Sequence, residues 1–272
     1  MQWCMTISGT LSAINPLREV ASKELFVLRI GGAEIPFTNH MFMITLTSAL
    51  LMIVLPLVVR KRKTVPRGLY NVLETICVFL REDVARPFLK DRTDSYIGAL
   101  WTLFFFILAL NLLGLVPLSQ MIWVASGFQW ENHLGGAATA NLFVTGALAL
   151  FAFVLFHLAG IREKGFFKYW ATLAPRVPWP MMPFMFLMEL LSTFVRMFSL
   201  AIRLFANILA GHILLAVILG FIVIFKNFLV AFPSILTTLV MSFLEIFVAF
   251  LQAYIFTFLT AIFIGFAISE EH

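Results

Sequence analysis

Apolar residues along the chain fall into runs that a globular core does not require. The first extends from about Phe37 to Val59, and Arg60, Lys61, Arg62, Lys63 and Arg67 follow it at once. From Gly68 to Lys90, Leu73, Ile76, Val78, Phe79 and Leu80 mix with Glu74, Arg81, Glu82, Asp83 and Arg86. That mixture predicts an amphipathic helix lying at a membrane interface without crossing it. A second run, from about Tyr96 to Leu118, ends near Pro117, and a third goes from about Thr139 to Ile161. Each of these three runs suits one crossing of a hydrocarbon layer ~30 Å thick.

The last two runs are different. Pro178 to Phe225 and Phe228 to Ile268 are nearly unbroken stretches of roughly 48 and 41 residues, separated only by Lys226 and Asn227. At about 1.5 Å per residue each would make ~60–70 Å of helix, twice the hydrocarbon thickness. Such a run either folds back into two short segments or is one helix tilted well beyond the ~20° usual in membranes.

Composition agrees: 61% of residues are hydrophobic, only 12% are charged and the mean hydropathy is +0.99, against roughly 25% charge in soluble domains. A conventional soluble enzyme is excluded. The net charge of +5 comes from short basic clusters between the runs, which rules against a nucleic-acid face and marks topology. The clusters at residues 60–67 and at Arg162, Lys164, Lys168 and Arg176 mark the cytoplasmic side. The Met121–Ala138 loop holds Glu131 and His133 but no Lys or Arg, so it is expected outside, with the N-terminus outside and the C-terminus cytoplasmic. Residues 1–36 are expected as an outer segment and 37–272 as a single transmembrane domain. Arg18, Lys23 and Arg29 arrive too late for a cleaved signal. Cys4 and Cys77 are too few for a disulfide framework or a thiolate metal site.

Polar residues inside the long runs are regularly spaced. Glu189, Ser192, Arg196, Ser199, Arg203 and Asn207 fall within an arc of about 80° on a helix turning about 100° per residue. In the bland reading each pairs locally, Glu189 with Arg196 for instance. Arg203 resists it, because a guanidinium keeps its proton and costs at least ~2.5–3.5 kcal/mol at the centre of a spanning helix. Ser199, Ala206 and Ala210 share its side, and small residues allow another helix to approach closely. On the last run Thr238, Ser242, Glu245 and Gln252 occupy a second arc of about 80°.

His212 lies on the opposite side of its helix from Arg203. If the two runs form a hairpin through Lys226 and Asn227, His212 is about 14 residues before the turn and Glu245 about 18 after it, so they meet at similar depth. An imidazole titrates near ~6.5 and burial raises a carboxyl's pKa, so such a pair can relay a proton. His157 is read as structural, His40 and His133 as outer-surface residues, and Asn111 and Asn141 as candidate lining residues that bond across helices. The chain carries no Gly-rich phosphate loop, no His-Glu-x-x-His helix and no Gly-x-Ser-x-Gly elbow. No covalent chemistry, metal or cofactor is assigned to it.

The segment Ser199-Leu200-Ala201-Ile202-Arg203-Leu204-Phe205-Ala206-Asn207-Ile208-Leu209-Ala210-Gly211-His212 resembles the signature of subunit a of F-type ATP synthases. Similarity continues at Asn111-Leu112-Leu113-Gly114-Leu115-Val116-Pro117, at Leu251-Gln252-Ala253-Tyr254-Ile255-Phe256 and in the closing Ser269-Glu270-Glu271-His272. The resemblance implies an all-α integral membrane fold with an upright N-terminal span, an interfacial amphipathic helix and a two-helix hairpin. Two long, strongly tilted C-terminal helices would form a second hairpin against a rotor ring. It also implies a stator function in a bacterial inner membrane, with a ring of c subunits, peripheral-stalk b subunits, the soluble catalytic head and lipid as partners, and no nucleic acid.

Carried over residue by residue, Arg203 is the essential ring-facing arginine. His212, Glu245, Gln252 and Asn207 line the outer half-channel, while Glu189, Ser192 and Ser199 line the inner one. Some relatives carry the residue types of His212 and Glu245 exchanged, and some carry an acid where this chain has Asn141. Two other classes stay open: a secondary transporter binding an anion at Arg203, and a proton-conducting subunit of a respiratory complex. The first usually shows related halves and Gly or Pro breaks near its site, which this sequence lacks.

Overall fold

The computed structural model describes residues 22, 24–30, 33–60, 68–116, 118, 121, 135–172 and 181–269. Five helical stretches in it are long and apolar enough to cross a bilayer: Asn39–Val59, Tyr70–Leu115, Leu142–Lys164, Met182–Phe225 and Phe228–Ile268. The all-α membrane architecture expected from the runs is present. It is preceded by a small antiparallel hairpin, β1 (Glu24–Ile30) and β2 (Ala33–Thr38), which the hydropathy pattern did not predict. Its sequence signal is Gly31-Gly32 between two short apolar runs, a spacing that favours a tight hairpin.

Helix α1 (Asn39–Arg60) starts directly from β2, and the Thr38 hydroxyl accepts the Met41 N–H at 3.4 Å. Helix α2 (Leu69–Phe79) continues through a π-turn (Leu80–Ala85) into α3 (Arg86–Leu89). Each π-turn carries an extra residue, which keeps Leu80, Val84, Ala85 and Leu89 together on the buried side while Arg81 and Arg86 stay exposed. Val72, Val78 and Phe79 are exposed as well, so the outward side is not wholly polar. Lys90, with φ +47°, then turns the chain before α4 (Thr93–Leu115).

Helix α5 (Leu142–Lys164) stops at Gly165, whose φ of +82° suits glycine, and α6 (Phe166–Thr172) follows. The two overlong runs are α7 (Met182–Phe225) and α8 (Phe228–Ile268), each one continuous helix. The fold-back alternative is thereby excluded. Between them Lys226 adopts φ +46°, and the Asn227 side-chain oxygen accepts the Leu229 N–H at 3.1 Å. The Asn227 carbonyl takes the N–H groups of Val230 and Ala231, so the sharp turn and the new helix start rest on one residue.

The chain forms two compact units, residues 1–48, 108–144 and 204–251 in one and residues 49–107, 145–203 and 252–272 in the other. In the first, Ala137, Ala140 and Ile208 make a buried cluster, and the Cα and Cβ of Ala137 lie 3.0 Å from where a Cβ on Gly114 would sit. In the second, Phe79 stacks on Tyr254 at 5.8 Å and Phe88 meets Phe258 edge-on at 5.6 Å. These ring contacts seat the amphipathic segment on the end of α8. Arg92 pairs with Glu163 at 2.9 Å, which joins the start of α4 to the end of α5.

The turn yields the first prediction. Asn227→Ala removes the cap and is expected to cost about 1 kcal/mol, whereas Asn227→Asp keeps an acceptor and stays near the parent. Denaturation midpoints in detergent check this, and equal losses in both variants would contradict the capping role.

Candidate functional site

Glu245 is half-buried on α8 and shares a cavity of about 190 Å³ with Asn207, Ile208, Gly211, Leu115 and Met241. Its Oε1 is buried and has no hydrogen-bond partner among the described residues. The reason it fits is Gly211: a side chain there would strike that carboxyl oxygen. A glycine inside a helix costs about 1 kcal/mol relative to alanine and is usually kept for such an approach. The hairpin arithmetic placed Glu245 level with His212, and the geometry sets it against Gly211, the preceding residue. His212, next along the chain from Gly211, is half-buried.

Gly211 is thus a site residue that periodicity missed. Its signal was visible as a lone glycine inside a long apolar helix, but the carboxyl that needs the space lies 34 positions further along the chain (Gly211 to Glu245). Spacing within one helix cannot report what a facing helix brings.

The stripe on α7 is distributed over different environments. In the second unit Glu189 and Ser192 are half-buried, and Ser199 is exposed. Arg196 Nη2 lies 4.0 Å from Glu189 Oε1, with side chains 44% and 38% exposed, a pair worth at most about 1 kcal/mol. The guanidinium also sits 5.8 Å from the Phe263 ring centre, a cation–π distance. The local pairing considered from sequence therefore exists for Arg196. Arg203 is exposed, and no ion pair reaches it among the described residues.

Gln252 is 4% exposed, with its Nε2 unpartnered among the described residues. Asn111 is 1% exposed and both polar atoms of its side chain are likewise unpartnered. Asn141 acts locally, since its Oδ1 accepts the Phe143 N–H at 2.9 Å and caps α5. His40, expected at the outer surface, is only 2% exposed at the start of α1. His133 lies outside the described residues.

His157 is structural, as expected. Its Nδ1 is 2.6 Å from the Tyr169 hydroxyl, and Phe153, Phe156 and Trp170 surround the ring at 4.3–5.9 Å. Burial pushes the Tyr169 phenol up to about 12, so it stays protonated at physiological pH and the contact is a hydrogen bond between neutral groups. Gly160 leaves room for the Tyr169 ring, and together these contacts hold α6 on α5.

The sequence matches the ATP synthase A chain family over residues 41–265. Over 88% of its length it is 42% identical to ATP synthase subunit a of Anaeromyxobacter dehalogenans. Over 90% it is 36% identical to that of Chloroherpeton thalassium, and over its full length 38% identical to that of Myxococcus xanthus. It covers 59%, 70% and 85% of these relatives respectively. The chain therefore spans about three-fifths of the length of the Anaeromyxobacter relative.

The Gly211 contact predicts that Gly211→Ala displaces the Glu245 carboxyl and costs about 1–3 kcal/mol. Combining it with Glu245→Ala should recover most of that loss. Thermal unfolding of the two single variants and the double variant measures the coupling, and strict additivity would refute the contact.

Proposed function

The chain belongs to the ATP synthase A chain family, and from this we propose that it is the proton-translocating stator subunit of an F-type ATP synthase membrane sector. One observation carries the reading: Arg203 is exposed on an apolar helix and has no ion-pair partner among the described residues. A guanidinium that cannot be neutralised must meet a carboxylate brought by another molecule. A ring of c subunits bearing such carboxylates supplies it.

In this reading a proton arrives from the outer side past Glu245, His212, Asn207 and Gln252 and neutralises a ring carboxylate. The neutral site then turns into lipid at low cost, which the ionised one cannot do. After nearly a full rotation it loses its proton through the inner path near Glu189, Ser192 and Ser199 and is drawn back to Arg203. The fixed positive charge also blocks a direct leak between the two paths. Asn111 and Asn141 are held as lining residues of the outer vestibule, Asn141 through the helix start it caps.

Each elementary charge crossing yields about 2.3 kcal/mol per 100 mV, so several per turn drive ATP synthesis in the soluble head. Peripheral-stalk b subunits hold the chain against the torque, in a bacterial inner membrane with the N-terminus outside and the C-terminus cytoplasmic. The two continuous long helices and the Glu245 cavity support this reading.

Arg203→Ala, in membranes where the complex has been verified to assemble, is expected to abolish ATP-driven proton pumping. Arg203→Lys keeps a charge but loses the planar fork and should fall at least about tenfold. Vesicle acidification with matched ATP hydrolysis is the measurement. Normal pumping by Arg203→Ala would overturn the proposed function.

A further inference from the structure

Asn39 stands at the junction of β2 and α1, is 2% exposed, and belongs to none of the paths above. Its Nδ2 donates to the Gly135 carbonyl at 3.1 Å, across 96 positions of sequence. Gly135 and Gly136 follow one another with φ of +117° and +100°, a conformation side chains resist. They deliver Ala137 to the notch beside Gly114. Ala137 then packs with Ala140 and Ile208, and Ile208 lines the cavity that holds Asn207 and Glu245. All of these residues belong to the first compact unit.

We propose that Asn39 is a positioning residue for proton uptake: its amide fixes the 135–140 segment against Ile208 and so sets the wall beside which Glu245 takes its proton. The inference rests on the reading of that cavity as part of the outer path. A carbonyl needs a donor. Aspartate at position 39 would keep the shape, but when ionised it would offer only acceptors to a buried acceptor. The amide therefore matters for its hydrogen, which shape alone does not replace.

The test uses the whole complex in liposomes, with the head facing outward so that the outer path opens to the lumen. ATP synthesis is followed while lumenal proton concentration is varied at constant external pH and constant potential. Asn39→Asp and Asn39→Ala are expected to raise the half-saturating proton concentration about tenfold, the scale of one lost buried hydrogen bond. The saturated rate and the amount of assembled complex should remain close to wild type. An unshifted half-saturation, or a fall in the saturated rate alone, overturns the positioning role. Failure of both variants to assemble makes Asn39 a folding residue and overturns it too. If Arg203→Ala pumps normally, the underlying reading falls first, whereas loss in Arg203→Ala with an unshifted Asn39→Asp curve removes this inference alone.

Discussion

An arginine on an apolar helix must be met by something, because its guanidinium keeps its charge and desolvation penalises it heavily. Two arginines on α7 meet this constraint in different ways. Arg196 finds the Glu189 carboxylate at 4.0 Å and the face of Phe263 at 5.8 Å within its own unit. Arg203, seven residues further on, is exposed with no ion pair among the described residues. The first is a solved problem inside the chain, and for the second the proposed function brings the partner from outside it. The proposed stator role follows from that difference more than from any other feature.

Close approach is the second constraint, and glycine provides it at particular points. Gly211 gives the Glu245 carboxyl its place against the backbone of α7. Gly114 accepts Ala137, and Gly160 accepts the Tyr169 ring. A buried carboxyl oxygen without a partner is costly, and sequences usually retain such costs where function needs them. The cavity beside Gly211 is therefore a place where stability has been given up locally, while the Ala137, Ala140 and Ile208 cluster next to it is apolar and tightly packed.

Much of this was legible in the sequence, for reasons that also explain what was not. Polar and charged residues mark where an apolar run stops, so the second long helix, Phe228–Ile268, was read to its final residue, and the other spans to within about four. Angular arithmetic along one helix found the two polar faces, since it needs nothing beyond the local twist. It gave no account of what each face touches: that Arg196 has partners and Arg203 lacks an ion pair, or that Asn141 spends its side chain on capping α5. The β-hairpin escaped because its strands are too short for a membrane pattern, although Gly31-Gly32 marked its turn. Burial at the start of α1 was equally out of reach, since the contact that Asn39 makes there spans 96 positions of sequence.

The ionisable groups near the proposed path differ in what they are able to do. Carboxyl and imidazole groups can in general receive a proton and release it, which is the part the proposed function gives Glu245 and His212. A guanidinium does neither, so Arg203 can shape the energy of a passing carboxylate but cannot carry its proton. A proposed conducting path therefore runs through carboxyl and imidazole positions, and it is interrupted wherever an arginine is the only polar group available. In the proposed function the two parts therefore fall to different residues, proton uptake to Glu245, half-buried against Gly211, and blockage to the exposed Arg203. The proposed stator requires that separation, because a proton that could pass Arg203 directly would cross the membrane without turning the ring.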